Sequence, residues 1–239
     1  MPCHNQENGK LRQGSTIVIK AIYLFNRRSD LSVENFQEYW RTKHADLVRQ
    51  VPGILRYVQC HTLLSGYGRP TPPPLDGVEE ISFDSTAHMT SMEETPAGEA
   101  AVADLANFVD TERVQYIVTE EIEIKPGNIR EGMVKNIELV TRKQGMPLVE
   151  FHSYWRDFHG PLAAKIEVIK RYVQSHTLMD EYERGVLPVY DGVAETWFTD
   201  TAAMRQSAGT PEYSATRADE KTFLTEPLPF IITREVRII

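Results

Sequence analysis

The sequence predicts an α+β protein: two ferredoxin-like β-α-β-β-α-β units in one chain, packed sheet to sheet as a single barrel. Three observations predict it. First, the stretch Phe36 to Leu63, FQEYWRTKHADLVRQVPGILRYVQCHTL, returns 115 residues later as Phe151 to Leu178, FHSYWRDFHGPLAAKIEVIKRYVQSHTL. The same offset carries residues 18–124 without a gap onto 133–239, with about 38 of about 107 positions identical, too long for a solenoid repeat of roughly 20–50 residues. Second, each copy alternates segments of period 2 with segments of period 3.6 in the order strand, helix, strand, strand, helix, strand. Third, two helices cover only one face of such a four-stranded sheet. The second copy, held close by a short linker, is the nearest surface able to cover the other.

The organisation is a polar, flexible tail over residues 1–15, unit one over 16–125, a linker over 126–132 and unit two over 133–239. Residues 17–25 (IVIKAIYLF) read as a strand, rich in β-branched and aromatic residues, with residues 133–140 as its counterpart. Ser32 can cap the next helix, and Pro147 starts the equivalent helix by a different device. That helix places Phe36, Trp40, His44 and Leu47 on one face, and its copy places Phe151, Trp155, His159 and Leu162. Residues 54–63 and 169–178 are strands whose alternation puts Tyr57, Gln59, His61 and Leu63 on one side. The proline-rich stretch 65–75 is a loop, and Asp76-Gly77-Val78 opens a strand to Phe83, repeated from Asp191 to Phe198. A short helix from about Thr86 or Thr201, a helix after Thr95-Pro96 or Thr210-Pro211, and a last strand (114–124 or 229–239) complete each unit.

Composition narrows the function. A net charge of −8 and a pI near 5.4 give no positive field for nucleic acid, and no Lys/Arg cluster suggests an anionic membrane. No apolar run approaches the roughly 18 residues that span a bilayer. The two cysteines are Cys3 and Cys60, and Cys60 aligns with Ser175, so no disulfide or metal framework repeats. A reducing, cytoplasmic setting fits this best.

The Y-W-R-x-x-H helix, the R-Y-V-Q-x-H strand and the D-G-V-x-E strand resemble the EthD family of the dimeric α+β barrel superfamily, here in tandem. Unit two, with His159-Gly160-Pro161-Leu162, follows the family's H-x-P-L form, whereas unit one has Asp46 in place of the proline. The resemblance implies a ligand pocket between sheet and helices in each unit. It also implies a place among isomerases, cyclases, decarboxylases and monooxygenases that act without metal or organic cofactor, or an accessory role in ether degradation beside an oxygenase. A haem reading, with His as axial ligand, follows only from superfamily relatives.

His44, His61, His159 and His176 are the candidate catalytic residues, because imidazole moves protons either way near neutrality, as enolisation or decarboxylation requires. Tyr39, Trp40, Tyr154 and Trp155 are the candidate substrate-binding wall. The competing readings are a helix histidine satisfied by a core hydrogen bond, a strand histidine bonded across the sheet, and aromatics that are simply core. Glu80 and Glu195 are candidates to orient a histidine. No metal site is expected, since two histidines per unit lack a repeated third ligand and no H-E-x-x-H occurs. The expectation is a cofactor-independent lyase or isomerase acting on a small cyclic or aromatic carbonyl compound, with unit two the favoured site. The alternative is a non-catalytic small-molecule binder serving an oxygenase. Partners are a small-molecule substrate, no nucleic acid and no membrane, and a homo-oligomer of the tandem chain is compatible with both readings.

Overall fold

The computed structural model describes residues 18–239. The tail expected over residues 1–15 and Ile17 of the first expected strand lie outside the described residues. Eight strands follow the expected order: β1 Ile19–Phe25, β2 Arg56–Thr62, β3 Gly77–Phe83 and β4 Gln115–Lys125, then β5 Val134–Val140, β6 Arg171–Thr177, β7 Gly192–Phe198 and β8 Phe230–Arg237. They close into one antiparallel barrel in the order β1-β3-β2-β8-β5-β7-β6-β4. The units therefore meet along two hydrogen-bonded seams, β2 with β8 and β4 with β6, in addition to facing each other across the interior. Closure leaves no sheet edge unpaired.

The repeat has one break that the sequence comparison passed over. Ile22 of β1 pairs with Ile117, whereas its copy Ile137 pairs with Ile231, an offset of 114 instead of 115. The isolated bridges Arg27–Val109 and Arg142–Leu224 keep 115, so unit two is one residue shorter in the approach to its last strand.

Helices pack outside the barrel. In unit one, α1 (Val33–Tyr39) is capped by Ser32, whose Oγ accepts from the Asn35 N–H at 3.1 Å. It continues through a π turn (Trp40–His44) into α2 (Ala45–Val48). Behind it lie α3 (Thr86–Glu93) and α4 (Pro96–Asp104), the latter capped by Thr95 with Pro96 in its first turn. Unit two repeats this with α5 (Leu148–Tyr154), a π turn (Trp155–His159), α6 (Gly160–Ala163), α7 (Thr201–Ser207) and α8 (Pro211–Phe223). No helix among the described residues is long and apolar enough to cross a membrane.

The D-G-V motif has a packing cause. A Cβ on Gly77 would lie 2.4 Å from the Trp40 indole, and one on Gly192 would lie 2.5 Å from the Ser175 carbonyl oxygen and 2.6 Å from Trp155. The indole thus rests directly on strand backbone, and only glycine admits it. The preceding aspartate ties the strand down: Asp76 accepts from the Arg27 N–H at 2.9 Å and the Tyr67 hydroxyl at 2.6 Å, and Asp191 repeats both contacts with Arg142 and Tyr182.

Candidate functional site

The two helix histidines sit at the last position of their π turns, a feature frequent at functional sites because it re-aims side chains without ending the helix. His44 is 2 % exposed. Its Nδ1 lies 3.0 Å from Asp104 Oδ2 and its Nε2 lies 3.6 Å from Glu79 Oε2. Asp104 is fixed by the Tyr39 hydroxyl at 2.7 Å and the Asn107 amide at 2.9 Å. Glu79 Oε2 accepts from the Tyr57 hydroxyl at 2.5 Å and the Trp40 indole N–H at 3.1 Å. Burial alone would lower the His44 pKa, but the Glu79 and Asp104 carboxylates overcome it, and the pKa ends above its ordinary value.

His44 and Glu79 form the polar end of a cavity of about 290 Å³ between β-sheet and helices. Most of the rest of the wall is apolar, including Val48, Ile81, Phe83, Met89, Met92 and Ala101. Tyr23 and Glu93, hydrogen-bonded to each other at 3.0 Å, complete it, and no lysine or arginine lines it among the described residues.

Unit two keeps the histidine but not the cavity. His159 Nδ1 lies 2.8 Å from Asp219, which the Tyr154 hydroxyl also holds at 2.6 Å. The position of Glu79 is Ala194, and burial leaves the His159 pKa below its ordinary value although Asp219 opposes it. Tyr213, Arg217 and Glu220 replace Gly98, Val102 and Leu105, and Glu138 replaces Tyr23. Arg217 pairs with Glu220 at 2.6 Å and with Glu138 at 3.6 Å, and the remaining space beside His159 is about 70 Å³. Burial and the Glu138 charge raise the Glu220 pKa to about 8.

The strand histidines do not join the helix histidines. His61 and His176 face the helix layer, as Tyr57, Gln59 and His61 share that side. They pack on Trp40 and Trp155, with ring centroids 4.6 and 4.4 Å apart. Each is bonded through Nε2 to a glutamine, Gln59 at 3.1 Å and Gln174 at 2.9 Å, and neither lines the cavity of its unit. Burial, with the Arg41 charge adding to it, lowers the His61 pKa to about 4. Burial, His152 and Arg156 lower that of His176 to about 2. Tyr39 and Trp40 stand behind the unit-one cavity and brace its acids, whereas Trp155 lines the small cavity of unit two.

Glu80 and Glu195 do not orient a histidine. Strand alternation sends them into the barrel, where they face Lys135 and Lys20, and it is the neighbouring Glu79 that reaches His44. Sequence reasoning missed Glu79 and the pair Asp104/Asp219. For the aspartates a signal existed, since both copies carry an Asp 60 residues beyond the helix histidine.

Comparison with known proteins agrees with this architecture. A mutant chlorite dismutase from Candidatus Nitrospira defluvii covers 94% of both chains at 10% identity, with a TM-score of 0.52. An anthrone oxidase-like protein gives a TM-score of 0.62, again at 10% identity and 94% of both chains. At such identities the likeness is one of fold. In sequence, an uncharacterized 11.0 kDa protein in the thcB-thcC intergenic region of Rhodococcus erythropolis is 30% identical over 93 residues, 38% of this chain and 84% of that protein. The EthD domain matches residues 28–112 and again residues 143–227, so the chain belongs to the EthD family and carries its domain twice.

Proposed function

We propose that unit one holds the working site and that His44 serves as general acid–base in a cofactor-independent lyase- or isomerase-type reaction on a small cyclic or aromatic carbonyl compound. One observation carries this reading: an imidazole set between two carboxylates in the wall of a mostly apolar cavity of about 290 Å³. Asp104 holds Nδ1 and thereby sets the ring's orientation, so that Nε2 and Glu79 are the groups facing a ligand. A raised pKa favours the protonated ring, which suits donation to a developing enolate oxygen. Glu79 is the partner that would accept the carbon-bound proton.

The lining selects the ligand's charge. With two carboxylates, Glu79 and Glu93, in the wall against the single His44 ring and no lysine or arginine among the lining residues, a carboxylate-bearing ligand is disfavoured relative to an uncharged ring compound. The chemistry belongs to unit one on this reading, and unit two, whose cavity Tyr213 and Arg217 occupy, serves to complete the barrel.

Hydrogen–deuterium exchange at the α-carbon of cyclic aryl ketones such as 1-tetralone, followed by NMR in D₂O, tests both parts. Exchange is expected above the buffer rate and about 100-fold slower in His44→Gln, the low end for a general acid–base group. Equal rates in the two proteins reject the catalytic role. Saturable binding of the ketone without exchange would instead support the binder reading, for which the apolar wall is equally suited.

A further inference from the structure

The barrel interior is divided along its axis. One half is packed with aliphatic side chains, among them Ile22, Leu24, Val78, Ile137, Leu139 and Ile231. The other half is charged and incompletely filled: a chamber of about 490 Å³, walled by both units and by linker residues 129–132. Five arginines and five glutamates line it. Lys20 and Lys135, each 1 % exposed, are rooted among those glutamates, and Glu123 takes Arg171 at 2.6 Å, so cations outnumber carboxylates there by one, in a chain whose net charge is −8.

Among the described residues, every carboxylate lining the chamber except Glu131 is already in an ion pair. Glu121 takes Arg56 at 2.6 Å and Lys20 at 3.0 Å, and Lys135 takes Glu195 at 2.5 Å and Glu235 at 3.2 Å. Arg130, Arg234 and Arg237, all three solvent-exposed, make no side-chain ion pair among the described residues, and Arg237 Nε donates to the Ile239 carbonyl oxygen at 3.0 Å. Trp197 adds a flat wall, with the Lys135 ammonium 4.7 Å and the Arg171 guanidinium 5.6 Å from its ring. The three-ligand cluster Cys60, Glu80 and Glu235 is no metal site, because the Lys135 ammonium contacts all three.

Stability does not explain this chamber. Buried ion pairs seldom outperform apolar packing, and the other half of the same barrel is packed with aliphatic residues. A surplus of arginine forks around an unfilled space is the arrangement that recognises carboxylate or phosphate groups in pairs.

We propose that this chamber is a second ligand site, separate from the unit-one cavity, which takes a small polyanion bearing two or more carboxylate or phosphate groups. It exists only where the two units and their linker meet.

Isothermal titration of the full chain with citrate and with pyrophosphate tests it, against sodium chloride at matched ionic strength. Saturable binding of at least one polyanion is expected, and which of the two binds tells carboxylate from phosphate. Affinity should fall at least about tenfold in Arg130→Ala/Arg237→Ala, since each charge-assisted hydrogen bond is worth more than a neutral one. Quenching of Trp197, absent in Trp197→Phe, gives a second readout in a protein with every arginine intact. No saturable binding of either anion, or binding indifferent to both sets of substitutions, overturns the proposal.

Discussion

The clearest residue-scale experiment is one the duplication has half performed. His44 and His159 share a π turn, an aspartate and a tyrosine, and differ in that only His44 faces a second carboxylate. Their pKa values move in opposite directions, upward for His44 and downward for His159. Glu79→Gln should therefore bring the His44 pKa below its ordinary value, as seen by NMR titration of the ring. An unchanged value would show that Asp104 alone sets it. The buried strand histidines make a second prediction. Their folded pKa values, about 4 for His61 and about 2 for His176, lie below the unfolded value, so between pH 6.5 and 4 the unfolded chain binds protons that the folded chain refuses. Stability then falls as pH drops from 6.5, by up to about 1.4 kcal/mol per pH unit for each group. His44 acts oppositely: the stability it contributes is present below about pH 6.5 and is lost as pH rises through its raised folded value. In urea titrations at pH 7 and pH 5, His176→Gln should lose about one proton's worth of that slope, and parent-like slopes would refute the assignment. The four histidines were legible because both copies keep them. Their separation was not, because convergence depends on Trp40 filling the space over His61, and that is a packing outcome.

At the scale of elements, periodicity and start signals located all eight strands and the main helices, since they describe local geometry, but not the short 3-10 turns at Leu64–Gly66 and Met179–Glu183. Terminal residues shifted by one to three positions, as at β2 and β8, where pairing partners decide how far a strand runs. The one-residue shortening before β8 escaped a gapless comparison because isoleucines fall at both 231 and 232. The glutamates show what alternation can settle once a strand's facing is known. Glu79 and Glu80 are adjacent, so one must meet the helices and the other the barrel, and the sequence alone does not say which. The D-G-V strand yields a sharper prediction. Gly192→Ala forces a methyl against backbone oxygen as well as the Trp155 ring, whereas Gly77→Ala meets chiefly the Trp40 ring edge, with the nearest backbone oxygen at 3.3 Å. Overpacking of this kind costs about 1–3 kcal/mol, and Gly192→Ala should lie at the upper end and exceed Gly77→Ala. Urea midpoints at constant m-value measure both, and a costless Gly192→Ala would mean that the indole can lift off the strand.

For the whole molecule, the duplicated sequence foretold a shared interior but not its chemistry. Lys20 and Lys135 occupy equivalent positions, as do Glu80 and Glu195, and each lysine pairs with the glutamate of the other unit. The pairs are thus exchanged across the pseudo-twofold axis, in addition to pairs within each unit, Lys20 with Glu121 and Lys135 with Glu195 and Glu235. No local pattern announces this, because a lysine in an alternating strand reads as solvated until the partner sheet is placed over it. Removing one member should be expensive. Lys20→Met leaves Glu195 and Glu121 with one cation fewer in a largely buried site, and loss of about 3–5 kcal/mol is expected. Lys20→Met/Glu195→Gln removes charge from both units and should lose less than the single variant, a non-additivity that a double-mutant cycle reads directly. The same unfolding curves should show one transition, because β2–β8 and β4–β6 tie the units along both seams. A single variant within about 1 kcal/mol of the parent, or two separated transitions, would mean that the units are neighbours and not halves of one cooperative barrel.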